Sequence, residues 1–519
     1  MPEVNAKNAL LSKQEVAVAY ALIERLAPFP CEGLGRHAPL QYKFSQAIAR
    51  ATSCHPGCAH THFLTLSSAR LNAVKMNYSD LLGVFPNLMF ILTGASGDGK
   101  SIPLWLDTMV MHMLRKKEHQ VAMKGYASAL ADYKAVMEGP SPPDRPLEEP
   151  KAPKEVDELY DAGTTVGLGQ MMKATGGRAV WLKHETRKLL RRLMEGGSIG
   201  SFDELNQVAE HAYYRNSPAN ENSKFSIENP HMVALWLIHI EELLPFFHGK
   251  AGSKEDEDTV SGLMRFFIVH FPPVINKLLP AGTPAEIEKL VETDEYFNKL
   301  SFDQIASAWV NVLLILGRLY QQYQPREDEQ NRPARYSKLL GLHTLEWEAD
   351  AWEAYVGDFN ACTDRVRLAH TKIRTRIDVA KLSKDKTRLL QFVPTIDLLE
   401  KVIRFLLPNT LTDPQISALT PEELVQHLAE AKIDDILGVF KPDTVSGGVT
   451  RNSVEAAKVL TKFYTKQFKL HEDLPLCLEA HRKERQHIRY WKNPRLSNKG
   501  GGGDGWRHFN GGAAQQSER

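Results

Sequence analysis

The segment Gly94-Ala-Ser-Gly-Asp-Gly99-Lys100-Ser101 constrains this chain more than any other part of it. Before it runs Leu88-Met-Phe-Ile-Leu-Thr93, apolar and of strand length; after it, from Pro103, a helical pattern continues to about Val136. A buried strand that turns through glycines straight into a helix is one half of a βα unit. Such a strand belongs to a parallel sheet covered by helices. Residues 80–280 agree, because short apolar runs alternate there with helical patterns.

The loop's composition also has a chemical meaning. It fits G-x-x-x-x-G-K-[ST] at every fixed position. Gly94, Gly97 and Gly99 let the backbone turn tightly, so that its N–H groups converge on one point. An anion held there gains further from the partial positive charge at the start of the next helix. The pattern therefore predicts that Gly94, Ala95, Ser96, Gly97, Asp98, Gly99, Lys100, Ser101 and Ile102 wrap the phosphates of ATP. Lys100 would bridge the β- and γ-phosphates and Ser101 would ligate Mg²⁺. The competing reading, a chance glycine turn, must explain strand, loop, Lys-Ser and helix together.

Such a loop needs an acidic strand end to hold the metal and orient water. Arg178-Ala-Val-Trp-Leu-Lys-His184-Glu185 is the best candidate, with Glu185 as general base and second metal-site residue. An alternative is that Glu185 only caps the helix pattern at Thr186–Leu193. His239, ending Met232-Val-Ala-Leu-Trp-Leu-Ile-His239, is a candidate γ-phosphate sensor or simply a satisfied strand-end histidine. Arg265 precedes a further strand, Ile268-Val-His-Phe271, and is a candidate arginine finger in cis or from a neighbouring subunit, against a plain salt-bridged role.

Around this core the chain changes character. Residues 1–79 read as a helical or mixed segment, with Ser12 to Glu15 as a capping box opening a helix through Leu26. The core, 80–280, carries a Pro-rich insertion at 139–153 that favours an extended connector. Residues 281–478 read as an all-α domain. Ala349, Trp352, Val356 and Phe359 mark one buried helix face, Ala457, Leu460, Tyr464 and Phe468 another, and Thr420-Pro-Glu-Glu423 a capping box. Residues 479–519 are a basic segment and a Gly-rich tail. The 64 Lys and Arg against 63 Asp and Glu exclude a uniformly basic nucleic-acid binder. No apolar run approaches the ~18 residues of a membrane span, and no secretory signal is visible. Five cysteines, an odd number, form no disulfide framework. An intracellular location follows as the expectation, cytoplasmic, or nuclear in a eukaryote, with no membrane partner.

Taken in order, these pieces resemble a family of P-loop proteins found in phage, plasmid and other mobile-element replication modules, often beside primase-like domains. The likeness rests on Pro86-Asn87, the Gly94–Ser101 loop with Pro103, Asp161-Ala-Gly-Thr-Thr165 with Leu168, and the strand ending at Glu185. It continues through Ala212-Tyr213-Tyr214, Asn229-Pro230 and Gly262-Leu-Met-Arg265-Phe, spanning about Pro86 to Pro273 and more weakly to Glu472. It implies an α/β P-loop NTPase core of the RecA/helicase type. It also implies ATP hydrolysis with Mg²⁺, coupled to DNA replication or mobile-element maintenance, and a possible homo-oligomer. The family's acidic pair is kept only in part, because His184 stands where the Asp would be. A neutral imidazole cannot supply the charge that holds hydrated Mg²⁺, although Asp161 or Asp203 can be imagined in that role.

Three other groupings call for weighing. Cys54-His-Pro-Gly-Cys58-Ala-His60-Thr-His62 offers zinc ligands but no second half of a finger, so a loop with reduced cysteines is the expectation. Nine Lys or Arg lie between Arg365 and Arg388, Arg374 and Arg376 among them. Arg482 to Arg495 sets Arg489 beside Trp491. Either stretch alone is most simply a solvated helix face. Beside a helicase-like core they make DNA the leading macromolecular partner. Two rivals stand next to the ATPase reading: a nucleotide-gated nucleic-acid-binding or scaffold protein with little turnover, and a small-molecule phosphotransferase.

Overall fold

A computed structural model describes residues 13–77, 83–94, 100–138, 148–161, 164–195, 230–247, 265–272, 300–319, 343–371, 376–440 and 447–492, with 205, 208, 214–216, 225–227, 263, 283, 286 and 445. Met1–Glu472 form one compact unit and Asp473–Arg519 a second.

The strands are β1 (Val74–Asn77), β2 (Gly83–Val84), β3 (Met89–Thr93), β4 (Leu159–Tyr160), β5 (Arg178–Lys183), β6 (Tyr214–Asn216), β7 (Phe225–Ile227), β8 (His231–Ile238), β9 (Phe267–His270) and β10 (His343–Thr344). Five of them form the central sheet in the order β4-β5-β8-β3-β9. Every pairing in it is parallel, with Thr93 opposite Ile238 on one side and His270 on the other. The strand that carries the glycine loop is first of the five in sequence yet interior in space, because the chain passes from β8 across it to β9. In open parallel sheets such a crossover leaves a crevice beyond the carboxyl ends of the strands, where ligands bind.

Both faces of this sheet are covered, which is why its strands read as continuous apolar runs rather than alternating ones. Phe90, Leu92, Val180, Leu182, Val233, Leu235, Leu237 and Val269 enter the larger core. Ile91, Trp181, Ala234, Trp236, Ile238 and Ile268 enter the smaller one on the opposite side. The helices of the first half are α1 (Lys13–Leu26), α2 (Cys31–His37), α3 (Pro39–Thr52), α4 (Pro56–Ala69), α5 (Ser101–Met137), α6 (Thr165–Ala174), α7 (Arg187–Glu195) and α8 (Ile240–Leu243). Of these, α4 and α5 feed the larger core, through Phe63, Leu66, Leu104 and Val110. Leu168 and Met172 of α6 and Leu189, Leu190 and Leu193 of α7 feed the smaller.

The second half supplies α9 (Phe302–Arg318), α10 (Ala349–Thr371), α11 (Arg376–Leu406), α12 (Asp413–Ala418), α13 (Pro421–Glu430), α14 (Ile433–Val439) and α15 (Arg451–Lys492). The capping box at Thr420 and Glu423 forms as expected, opening α13 with Pro421 in its first turn. Ala457, Leu460, Tyr464 and Phe468 are buried on α15, also as expected. The face expected on α10 needs correction: Ala351 and Tyr355 are its buried residues, whereas Ala349 is exposed and Trp352 is 40% exposed. Trp347, just before the helix, stacks on Tyr355 with ring centroids 4.9 Å apart and turns that side inward.

The Cys54–His62 segment is likewise not a loop. Pro56 opens α4, and the His55 imidazole accepts the Gly57 N–H at 3.0 Å as its N-cap. His60 meets the Ser45 hydroxyl at 2.9 Å and His62 the Asp107 carboxylate at 2.6 Å, each fully buried. Cys54 and Cys58 are free thiols, and among the described residues no three His, Cys, Asp or Glu come together as a metal site.

A buried ion cluster ties this architecture together. Fully buried Arg70, at the end of α4, pairs with Glu158 at 3.0 Å and with Glu118 of α5. Arg178, opening β5, pairs with the other Glu158 oxygen at 2.6 Å. The cluster sits at the amino ends of the strands, away from the crevice.

Candidate functional site

The carboxyl end of β3 is fixed from three sides. The Gly94 N–H donates to Ile238 O at 3.3 Å, and His239 Nδ1 donates to Gly94 O at 3.0 Å, both from the adjacent end of β8. His270, ending β9, donates from Nδ1 to Thr93 O at 3.1 Å and faces Glu24 of α1 through Nε2 at 3.0 Å. Tyr20 of α1 stacks on the same imidazole at 4.1 Å. From α15, burial holds His471 neutral, with its pKa lowered to about 4. Its Nδ1 donates to Gln467 O at 2.8 Å, so its Nε2 accepts the Thr93 hydroxyl at 2.9 Å. The loop thus leaves from an anchored point.

It also arrives at one. Lys100 occupies the N-cap position of α5, Ser101 is the first helical residue, and Ile102 and Pro103 complete the turn. No acidic side chain lies in that turn, so its backbone N–H groups and positive end face an incoming anion. Ala95, Ser96, Gly97, Asp98 and Gly99 lie outside the described residues. Behind Gly94 and Lys100 is a cavity of ≈ 20 Å³ walled by Cys54, His55, Cys58 and Phe271. It has room for about one water.

Glu185 stands two strands away, roughly 10 Å across the sheet. It is one of two non-glycine residues described with positive φ, at 49°. The cause is a local break in the ladder. Lys183 still pairs with Trp236, but the next β8 carbonyl, Leu237 O, receives the Thr186 N–H and hydroxyl, both at 3.0 Å. His184 and Glu185 are therefore looped out, with both side chains exposed above the strand ends. It is Thr186, whose carbonyl accepts the Leu190 N–H, that stands at the head of α7. The position at the helix head considered for Glu185 thus belongs to its neighbour, whose hydroxyl is spent on Leu237 O. A left-handed, non-glycine residue at the mouth of a crevice is the kind of strain that clusters at functional sites.

His184 is held below its ordinary pKa by partial desolvation, with Glu185 pulling it up and Lys183 pushing it down. It lines an open groove of ≈ 680 Å³ with Trp105, Met109, His112 and Lys116 of α5. Asp161 is exposed at the end of β4, where its carbonyl accepts the Lys183 ammonium; Asp203 lies outside the described residues.

The structure does not bring Arg265 to this place. It lies two residues before β9, whose carboxyl end is the one beside Thr93, so roughly 16 Å of extended chain separates it from the crevice. Burial lowers its pKa, and a finger in cis is not supported. Of the nucleic-acid candidates, Arg374 lies outside the described residues, and Arg376, Arg489 and Trp491 are placed in α11 and α15 by their backbone only. Arg388, from the same basic stretch, is a core residue. Its guanidinium sits 5.4 Å from the Phe267 ring centroid and 5.5 Å from that of Phe468.

Ser101 and Glu185 supply a hydroxyl and a carboxylate, hard oxygen donors of the type Mg²⁺ prefers, and His184 does not. What the arrangement can do is hold an anion at the head of α5 while a carboxylate two strands away polarises water. Comparison with protein-family models and with curated proteins finds no match to this chain. No helix among the described residues is long and apolar enough to cross a membrane.

Proposed function

We propose that this protein binds ATP with Mg²⁺ at the carboxyl ends of its parallel strands and hydrolyses it slowly, in a RecA/helicase-like P-loop core that works on nucleic acid. The observation that carries the reading is the complete G-x-x-x-x-G-K-S pattern leaving the interior strand β3 at the sheet's crossover, with Lys100 and Ser101 opening the 37-residue α5. In this reading the loop N–H groups and Lys100 hold the β- and γ-phosphates. Ser101 would ligate the metal, which when bound would supply charge neutralisation for phosphoryl transfer. Glu185 orients the attacking water. His239 spends its Nδ1–H on the loop's first carbonyl and acts as a positioning residue. Arg265, at the far end of β9, would serve the site of a neighbouring subunit in an oligomer.

His184 favours a second reading, in which nucleotide is held as a switch for a binding or scaffold protein and hardly turned over. Phosphate release, measured with and without single-stranded DNA and with Lys100→Ala as the blank, separates them. Release above the blank, raised by DNA, supports the motor. Release equal to the blank, with ATP still bound, leaves the switch.

A further inference from the structure

Helix α7 breaks two rules that stabilise a solvent-facing helix. It opens on Arg187 and Lys188 with no acid in its first turn, so cations sit against the positive end of the helix dipole. Arg187 and Arg191, like Lys188 and Arg192, are also like charges four residues apart, which repel. Leu189, Leu190 and Leu193 are buried, leaving all four cations exposed on the outer face. Among the described residues only Arg187 meets an acid, Glu242 at 3.3 Å. Among the described residues no acid but Glu242 offsets these charges, and a partner dense in negative charge does.

A second observation says which partner. His184, three residues before α7, also lines the groove in which Trp105 stands 66% exposed beside Met109, His112 and Lys116. The groove lies on the α5 side of the sheet and α7 on the other, and they meet over the end of β5. A small anion cannot occupy both, whereas a polymer can cross from one to the other. An exposed indole next to a line of cations is the surface on which unpaired bases stack while their phosphates are neutralised.

We propose that single-stranded nucleic acid binds across the carboxyl end of β5, its phosphates on Lys188, Arg191 and Arg192 and an unpaired base on Trp105. The surface deepens the hydrolysis reading, and rests on it only in that the bound strand lies over Glu185 and so couples to turnover.

The test is fluorescence anisotropy of the full chain with labelled 30-nucleotide oligothymidylate and oligouridylate, without added nucleotide, over a salt series. Arg191→Glu/Arg192→Glu lowers affinity at least about tenfold, and Trp105→Ala at least about fivefold. The mild Lys188→Gln flattens the slope of log K against log salt by about 0.7, the share of one phosphate on a single strand. Stronger binding of the DNA or of the RNA probe names the source of the strand. The proposal is overturned if wild type binds neither probe or prefers anionic phospholipid vesicles. It is equally overturned if both the Lys188 slope and the Trp105 affinity match wild type. A protein that binds the probe but no ATP sinks the hydrolysis reading alone, and one that binds ATP but no probe sinks this surface alone.

Discussion

Replacing Glu185 separates backbone strain from chemistry. At φ 49° its Cβ crowds the following carbonyl, which costs an L-residue about 1–2 kcal/mol relative to glycine in the left-handed region. Glycine gives back about 0.4–1 kcal/mol through the greater freedom of its unfolded chain. The difference leaves Glu185→Gly more stable than wild type by about 0.5–1 kcal/mol. Glu185→Ala keeps the Cβ and the strain, and its exposed side chain has no packing to lose, so its stability stays within about 0.5 kcal/mol of wild type. Urea unfolding of the three proteins measures the differences, and phosphate release in parallel measures the chemistry. Both variants should fall to the level of Lys100→Ala. The reasoning is refuted if Glu185→Gly is destabilised by more than about 1 kcal/mol, or if either variant keeps wild-type turnover.

Glu158→Ala strands the buried guanidinium of Arg70 with Glu118 alone and costs about 3 kcal/mol in urea unfolding; a loss under about 1 kcal/mol would show the cluster to be ornamental. Burial pulls the pKa of His55, His231 and His471 down to about 4 and that of His60 to about 3. The unfolded chain therefore takes up these protons first, and stability present above about pH 6.5 is lost as pH falls toward 4. Glu400, raised to about 7, works in the opposite direction from pH 4.5 upward, but one group against four leaves a net loss of at most about 4 kcal/mol per pH unit between pH 6 and 5. A urea midpoint flat across that window contradicts the assignment. His184→Asp restores a carboxylate beside Glu185 and raises Mg²⁺-dependent phosphate release about tenfold or more, and unchanged release would show that His184 is not what limits the metal.

What could be read in the residues depended on how far apart the interacting groups lie. Four of the five strands of the central sheet were legible because each is a short, mainly apolar run: β8 and β9 fall within one residue of where the pattern put them, whereas the two-residue β4 is too short to show a pattern. Helix α4 was not, since Gly57 to Ala69 are all buried and leave no amphipathic period. The α10 face was misread by about a quarter turn because Trp347, outside the helix, decides which side turns inward. At the site, the loop is a local pattern and was visible, whereas the basic face of α7 emerges only once its leucines are seen to be buried. The partners of Thr93 come from His270 and His471, 177 and 378 residues away, and no spacing announces them. Arg265 was read correctly as preceding β9, but the choice between a role in cis and one in a neighbouring subunit depends on which end of that strand meets the crevice, and the pattern does not say.

Equilibrium titration of a fluorescent ATP analogue with Mg²⁺, on wild type and Lys100→Ala, tests the central claim most directly. The account expects saturable binding at one site per chain, weakened at least about tenfold by the substitution, which removes a charge-assisted contact to phosphate. Equal affinity in the two proteins, or no saturable binding in either, would contradict it.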